Sequence, residues 1–166
     1  MNQKPKLLIV ADTYYPKVDG TLKFIEEFLK RAQDSFEVSL LVPDYGVRKG
    51  KNITYISVSK IWKVSGYANL KLSWKNVRKI KAAINKADIV FVQGPAMISY
   101  LSIYYARKYG KKTLFYTHTI SWELFEKFFP AMLKKPFYSI IKKMSIALYN
   151  RCDEILVPYH ELKEHL

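Results

Sequence analysis

A chain of 166 residues is long enough to bury the core of one domain, so a single domain is the expectation. Hydrophobic residues make up 49% of it, which excludes an intrinsically disordered chain. The formal net charge of +14 predicts an anionic partner, and nucleic acid, an anionic membrane surface or a phosphorylated substrate would each satisfy it. The lone cysteine, Cys152, excludes an intramolecular disulfide, as expected for a cytoplasmic protein.

Six apolar, β-rich runs follow one another along the chain and predict strands. Several of them are continuous rather than alternating, which is typical of strands buried on both faces of a parallel sheet. The runs cover residues 6–11, 36–43, 53–58, 88–93, 112–117 and 153–158. With helices between them, they predict a Rossmann-like, doubly wound α/β domain with a mainly parallel sheet of about six strands and helices on both faces.

Apolar residues at helical spacing predict three amphipathic helices between or after these strands. Their expected buried stripes are Leu22, Ile25, Phe28 and Leu29; Val77, Ile80, Ala83 and Ile84; and Phe137, Ile140, Ile141, Met144 and Leu148. Residues 59–73, which have no clean period, are interpreted as a loop. The apolar run 7–11 is too short for a signal peptide, and Gly94-Pro95 divides the longest uncharged run, so neither export nor a transmembrane helix is predicted.

The first candidate site is the turn "ADTYYPKVDG" between the first strand and the first helix. Gly20 near a helix N-terminus lets backbone N–H groups approach a phosphate, and the helix dipole favours that anion. The alternative is that Asp19 and Gly20 only form the turn and cap the helix. The chain contains neither a G-x-G-x-x-G fingerprint nor a P-loop, so nicotinamide-dinucleotide and P-loop nucleotide sites are disfavoured.

Further candidates follow two later strands, where the carboxyl ends of parallel strands form ligand-binding crevices. His118 and Thr119 follow the fifth run, and a histidine there can bond a sugar hydroxyl or polarise a reacting group. Gln93 and Gly94 end the fourth run. Each has an ordinary structural alternative, a helix cap or a turn. His160 and His165 do not match the H-E-x-x-H spacing, so no metal site is assigned.

Basic residues interleaved with aromatic ones form the third candidate, an anionic membrane surface. They are Trp62 and Lys63 in one segment, and Lys134 and Lys135 in another. The alternative is a solvated lysine-rich face over an ordinary core helix. Nucleic acid would also suit the charge, but no helix-turn-helix, RNA-recognition or zinc-finger pattern accompanies it, so nucleic acid is not the expected partner.

Three segments together resemble the N-terminal half of a GT-B glycosyltransferase of family 4, whose members are retaining enzymes. They are "DTYYPKVDGTLKFIEEFLKR" followed by "FEVSLLVP", then "FYTHT", and finally "CDEILVPYHELKEHL". The resemblance covers almost the whole chain. It implies that residues 1–166 form the acceptor-side domain, and that a donor-binding domain carrying the family's E-x7-E motif lies outside this chain.

The resemblance also assigns roles to the candidate residues. It implies that Gly20 and Asp19 lie by the donor diphosphate, that His118 contacts the transferred sugar, and that Tyr15 and Asp19 line the acceptor side. From their positions at the ends of strands, Gln93, Gly94 and Thr119 are also predicted to bind the acceptor. Family turns often have two glycines where this chain has Asp19-Gly20, and the usual serine after the last strand's proline is Tyr159.

For the complete enzyme, the resemblance implies a UDP- or GDP-sugar donor and no cofactor within this domain. The expected acceptor is lipid-linked or polyanionic, and the expected location is cytoplasmic, peripheral on the inner face of the cell membrane. Two alternatives remain at this point: a non-catalytic basic module that binds nucleic acid or membrane, and a subunit that needs a separate donor-binding partner. This domain alone is expected to be inactive.

Overall fold

The structure, a computed structural model, describes residues 3–64, 67–118, 120, 122 and 131–160. For residues 60–64, 67–69 and 131–137, only the backbone is described. The strands are β1 (Lys6–Val10), β2 (Glu37–Asp44), β3 (Ile53–Val64), β4 (Tyr67–Leu70), β5 (Ile89–Gly94), β6 (Lys112–Thr117) and β7 (Glu154–Leu156). The helices bounded within these residues are α1 (Gly20–Ala32), α2 (Trp74–Lys86), α3 (Met97–Lys108) and α4 (Ala131–Tyr149).

All seven strands join one sheet in the order β4-β3-β2-β1-β5-β6-β7. Six of them are parallel, and β1 lies in the middle, with Leu7 opposite Val38 of β2 on one side and Ile89 of β5 on the other. The order of the six parallel strands is that of a doubly wound fold, whose ligand crevice lies where the direction of winding reverses, between β1 and β5. The predicted fold class is confirmed.

One prediction is wrong: residues 59–73 are not a loop. β3 continues to Val64, and β4 returns beside it as an antiparallel strand, with Leu70 opposite Val58 and Tyr67 opposite Val64. The register shifts between Val58 and Lys63, as at a β-bulge. An edge strand can keep polar residues among apolar ones because one of its edges faces solvent, which conceals the strand pattern.

The helices cover the sheet on both faces, as predicted. α1 packs on one face through Leu22 and Ile25, while α2, α3 and α4 pack on the other, with Ile80 and Ile103 fully buried. The predicted stripe of α2 is therefore correct at Ile80 and Ile84, and that of α1 at Leu22 and Ile25. None of the described helices is both long and apolar enough to cross a membrane.

The predicted stripe of α4 is partly wrong. Ile140 and Met144 are 53% and 58% exposed. The helix instead turns Tyr138, Ser145 and Tyr149 toward the sheet, at spacings of a helical face. Tyr149 stacks on Phe115 of β6, and the Ser145 hydroxyl bonds that of Tyr100 on α3. Aromatic contacts and this polar contact orient the helix, so two apolar residues remain at its surface.

Candidate functional site

The turn between β1 and α1, residues 11–19, forms one wall of the crevice and is held from both sides. Tyr14 is buried and its hydroxyl donates to the carbonyl oxygen of Lys49 at 2.8 Å. Tyr15 donates its hydroxyl proton to Glu26 of α1, and that hydrogen bond raises the pKa of Tyr15. The predicted acceptor residue Tyr15 is therefore anchored through its hydroxyl.

At the N-terminus of α1, one backbone N–H group is bonded by the capping side chain and two are left open. Asp19 is the N-cap, and its Oδ1 accepts the N–H of Leu22 at 3.0 Å. Within the described part of the chain, the N–H groups of Gly20 and Thr21 have no hydrogen-bond partner. A Cβ built on Gly20 would meet nothing within 4 Å, and Gly20 is not among the glycines of positive φ. The fold therefore does not require glycine at this position. A ligand that comes close to the backbone would, because a side chain would occupy the space beside the open amides.

His118 follows β6 on the same face of the sheet as α1. Its backbone N–H donates to the carbonyl of Gly94 at 3.2 Å, and its ring lies edge-on to Tyr116 at 4.4 Å. Burial lowers the pKa of His118, while the nearby negative charge of Asp19 acts in the opposite direction. The buried Nε2 has no partner among the described residues. A neutral imidazole with an unpaired nitrogen is suited to bonding a sugar hydroxyl.

Gln93 and Gly94 complete this edge of β5, but in different ways. The Gln93 side chain is fully buried, and neither Oε1 nor Nε2 has a hydrogen-bond partner in the described structure, an uncommon state for a buried amide. Gly94 is closely packed instead: a Cβ there would lie 2.5 Å from Ser99 Oγ and 2.9 Å from Asp12 Oδ2. Gln93 thus offers unused polar atoms, and Gly94 has a structural reason to be glycine.

Asp12 and Ser99 are the pair that the sequence did not reveal. Ser99 Oγ lies 2.9 Å from both carboxyl oxygens of Asp12 and 2.7 Å from the carbonyl oxygen of Gln93. Because the hydroxyl has one proton to donate, a proton on Asp12 would let the carboxyl donate to Oγ while Oγ donates to Gln93. Burial raises the pKa of Asp12 to about 7, in agreement with that arrangement. The available signal was a carboxylate directly after a continuous buried strand.

Several predicted site residues lie beyond what the structure describes. Thr119 is outside the described residues. Trp62 and Lys63 lie in β3, and Lys134 and Lys135 in α4, but their side chains are not described. Their predicted roles stay predictions.

The described groups favour an anion beside a sugar. Open amides at a helix N-terminus bind phosphate oxygens, while an imidazole and a buried amide suit hydroxyl groups. In the described portion of the chain, no three His, Cys, Asp or Glu side chains are grouped to hold a metal ion.

Comparisons with known proteins agree with this fold. A family model for Glycosyltransferase Family 4 matches residues 18–166. Among solved structures, the chain is similar to a protein assigned as a UDP-N-acetylglucosamine 2-epimerase from Listeria monocytogenes, at 12% identity and a TM-score of 0.51, covering 98% of this chain and 42% of that one. It is also similar to an α-glucosyltransferase in complex with UDP and a 13-mer DNA containing an HMU base, at 12% identity and a TM-score of 0.51, covering 93% of this chain and 38% of that one.

The comparison with curated proteins returns no match. The chain spans 42% and 38% of the two solved relatives, and at 12% identity their likeness concerns the fold.

Proposed function

Because the chain belongs to glycosyltransferase family 4, we propose that it is the acceptor-side domain of an enzyme that transfers a sugar from a nucleotide-sugar donor. The donor is a UDP- or GDP-sugar, the acceptor is a lipid-linked or polyanionic glycan, and transfer retains the anomeric configuration. Catalysis needs a donor-binding domain or partner subunit in addition to this domain, which alone is inactive. The observation that carries the proposal is that open amides at α1 and the unpaired Nε2 of His118 lie on one face of the crevice.

In this proposal, each group has a distinct task. The amides of Gly20 and Thr21 bind oxygens of the donor diphosphate and stabilise the charge that develops as it leaves. His118 is neutral, since burial lowers its pKa, and its Nε2 bonds a hydroxyl of the transferred sugar. The acceptor hydroxyl oxygen forms the new bond to the anomeric carbon on the face from which the diphosphate leaves, the bond from that carbon to the diphosphate oxygen breaks, and the hydroxyl proton passes to that leaving oxygen. Gln93 supplies an amide for acceptor hydroxyls.

The test uses the full natural polypeptide and a panel of UDP- and GDP-sugars. We expect His118→Asn to lower kcat/KM by about a hundredfold, the usual scale for losing one preorganised hydrogen bond to the transition state. His160→Asn, the same change at an exposed histidine, leaves kcat/KM unaltered. If no nucleotide sugar binds or reacts, or if both variants behave alike, the proposed function is wrong.

We also propose that the protein works at an anionic membrane, on the cytoplasmic side. Leu72 and Trp74 are 72% and 74% exposed at the start of α2, and the neighbouring Lys71 and Lys75 are exposed as well. Apolar and aromatic side chains flanked by lysines bind anionic lipid surfaces, each basic residue adding about 1 kcal/mol. The chain's net charge of +14 supports the same location.

Vesicle sedimentation tests this location with a matched control. We expect Leu72→Ser with Trp74→Ser to weaken binding to anionic vesicles at low salt, because two interfacial anchors are removed. Met97→Ser with Tyr159→Ser removes two other exposed side chains, 47% and 53% exposed and without neighbouring lysines, and has little effect. Failure of the unaltered protein to sediment with anionic vesicles would contradict the proposal.

A further inference from the structure

The loop between β2 and β3, residues 45–52, is basic, and its backbone is held in place by several hydrogen bonds. Three tyrosine hydrogen bonds hold its backbone at Lys49. Tyr14 donates to the Lys49 carbonyl at 2.8 Å, the Lys49 N–H donates to Tyr55 Oη at 2.9 Å, and Tyr55 donates to the same carbonyl at 3.1 Å. Two of the three residues in these bonds lie outside the loop, Tyr14 in the turn before α1 and Tyr55 in β3, so the loop is tied to the wall of the crevice.

The local backbone adds to this rigidity. Asp44 Oδ1 accepts the N–H of Gly46 at 3.0 Å, and Gly46 and Gly50 have φ values of +92° and +94°. The φ of Gly50 is strained for any other residue, and a Cβ there would also meet the end of the Ile53 side chain, Cδ1, at 2.8 Å. The turns of the loop are therefore set by its own sequence, which keeps its side chains in fixed places.

Three cations project from this fixed backbone. The Lys49 ammonium lies 4.3 Å from the centre of the Tyr15 ring, and the Arg48 guanidinium lies 5.4 Å from that of Tyr55. Arg48 also pairs with Asp44 at 3.0 Å. Lys51 is exposed beside them, and within the described residues neither it nor Lys49 forms an ion pair. Two cations are thus oriented by aromatic rings, and the local positive charge exceeds the negative charge.

The position of the loop links it to the candidate site. Lys49 contacts Tyr14 through a hydrogen bond and Tyr15 through its ring, and these two residues precede Asp19 and Gly20 by only a few positions. An anionic group held by the loop would therefore lie beside the wall that carries the open end of α1. Basic residues alone do not mark a site in a chain with 28 Lys+Arg; what distinguishes this loop is that Arg48 and Lys49 are held over aromatic rings beside the crevice.

We propose that Arg48, Lys49 and Lys51 form a subsite for a phosphate group carried by the acceptor. A guanidinium fork and ammonium groups match the geometry and charge of a phosphate better than those of a single carboxylate. The group is a phosphate ester, carried either by a free phosphorylated glycan or by a lipid headgroup. The role in catalysis rests on the proposed function, whereas phosphate binding itself can be measured without it.

NMR titration of the full natural chain with inorganic phosphate and with a hexose 6-phosphate tests the binding directly. We expect saturable shifts of the amide signals of Lys49 and Gly50, absent with the unphosphorylated hexose at equal ionic strength. The variant R48Q/K49Q/K51Q loses at least tenfold in affinity. The control K86Q/R107Q/K108Q removes three exposed cations from the ends of α2 and α3 and keeps the affinity. Equal losses in both variants, or no shifts in the loop, would overturn the subsite.

Vesicles and an oligonucleotide separate the sources of the phosphate. If the loop binds the sugar phosphate but not the vesicles, the subsite belongs to a free glycan. If the loop is needed for binding to phosphatidic acid vesicles in preference to neutral ones, the subsite belongs to a lipid headgroup. Either result supports the proposal. If the loop binds a single-stranded oligonucleotide more tightly than it binds either the sugar phosphate or the phosphatidic acid vesicles, the proposal is overturned in favour of nucleic acid.

A transferase assay distinguishes failure of this subsite from failure of the proposed function. If the subsite is right, R48Q/K49Q/K51Q raises the KM for a phosphorylated acceptor at least tenfold and leaves the KM for the donor unchanged. An active transferase whose acceptor KM is unaffected by the variant contradicts the subsite alone. Loop-dependent phosphate binding in a protein without transferase activity contradicts the function alone.

Discussion

The N-termini of α1 and α3 flank the same crevice and are built in opposite ways. At α1, the N-cap Asp19 serves one amide and leaves those of Gly20 and Thr21 open. At α3, the N-cap Ala96 makes no side-chain hydrogen bond, and the carboxyl group of Asp12, from the turn after β1, approaches Ser99 in the first turn instead. One helix end is available to an anion from outside, and the other is occupied by an acid of the protein itself.

The two glycines near these ends follow the same division. Gly20 faces open space, whereas Gly94 is packed against Ser99 and Asp12. The helix dipole alone thus does not make a helix N-terminus a ligand site, because a side chain of the protein can occupy that position. In the proposed function, the anion therefore binds at α1 and not at α3.

The largest expected effect concerns the acid at α3. The folded-state pKa of Asp12, about 7, lies above its ordinary value of 3.8, so ionisation is less favourable in the folded protein. The stability that Asp12 contributes is present below pH 3.8 and is lost as pH rises through about 7, by at most about 4 kcal/mol. Urea denaturation between pH 4.5 and 8 should show this loss, and Asp12→Asn should remove it. Asp34→Asn, at an exposed aspartate, should leave the pH dependence as it is.

The next effect separates the two glycines. Gly94→Ala should destabilise the fold by about 1 to 3 kcal/mol, the usual cost of overpacking, because the new methyl group overlaps Ser99 and Asp12. Gly20→Ala should leave the free energy of unfolding within about 0.5 kcal/mol of the original, the usual range for a surface change. It should nevertheless weaken binding of a nucleotide sugar by the full protein. Equal stability losses would show that the two helix ends do not differ as described.

The smallest effect concerns the cap of α1 and its charge. Asp19→Ala should cost about 1 kcal/mol of stability through loss of the cap, whereas Asp19→Asn retains a capping oxygen and should cost little. Both changes should lower the pKa of His118, because the charge of Asp19 raises it. An NMR titration of the His118 ring measures this shift, and an unchanged pKa would mean that Asp19 and His118 do not interact.

The sequence revealed the sheet well because most of its strands are buried on both faces. The continuous runs 6–11 and 88–93 become β1 and β5 within one residue at each end. The segment 59–73 failed because strands at a solvent-exposed edge mix polar and apolar residues. In α4, spacing alone could not show that Tyr138 and Tyr149, rather than Ile140 and Met144, face the sheet.

The sequence predicted where in the fold the candidate site residues lie, but not which residues they contact. Gly20, Gln93 and His118 were expected at the carboxyl ends of strands, and the fold brings all three to that edge. The pairing of Asp12 with Ser99 joins residues 87 positions apart, so no local pattern indicates it. The same holds for Lys49, whose fixed position depends on Tyr14, 35 positions earlier.

The central place of β1 in the sheet has a consequence for folding on the ribosome. Its partner β2 follows after a single helix, whereas Lys6 and Asp88, which bond where β1 meets β5, are 82 residues apart. At a synthesis rate of roughly 5 to 20 residues per second, one edge of β1 waits about 4 to 16 seconds for its second neighbour. During that interval a growing chain exposes the unpaired backbone edge of a strand that carries four apolar residues, 7–10, the kind of surface on which misassembly begins and to which chaperones bind.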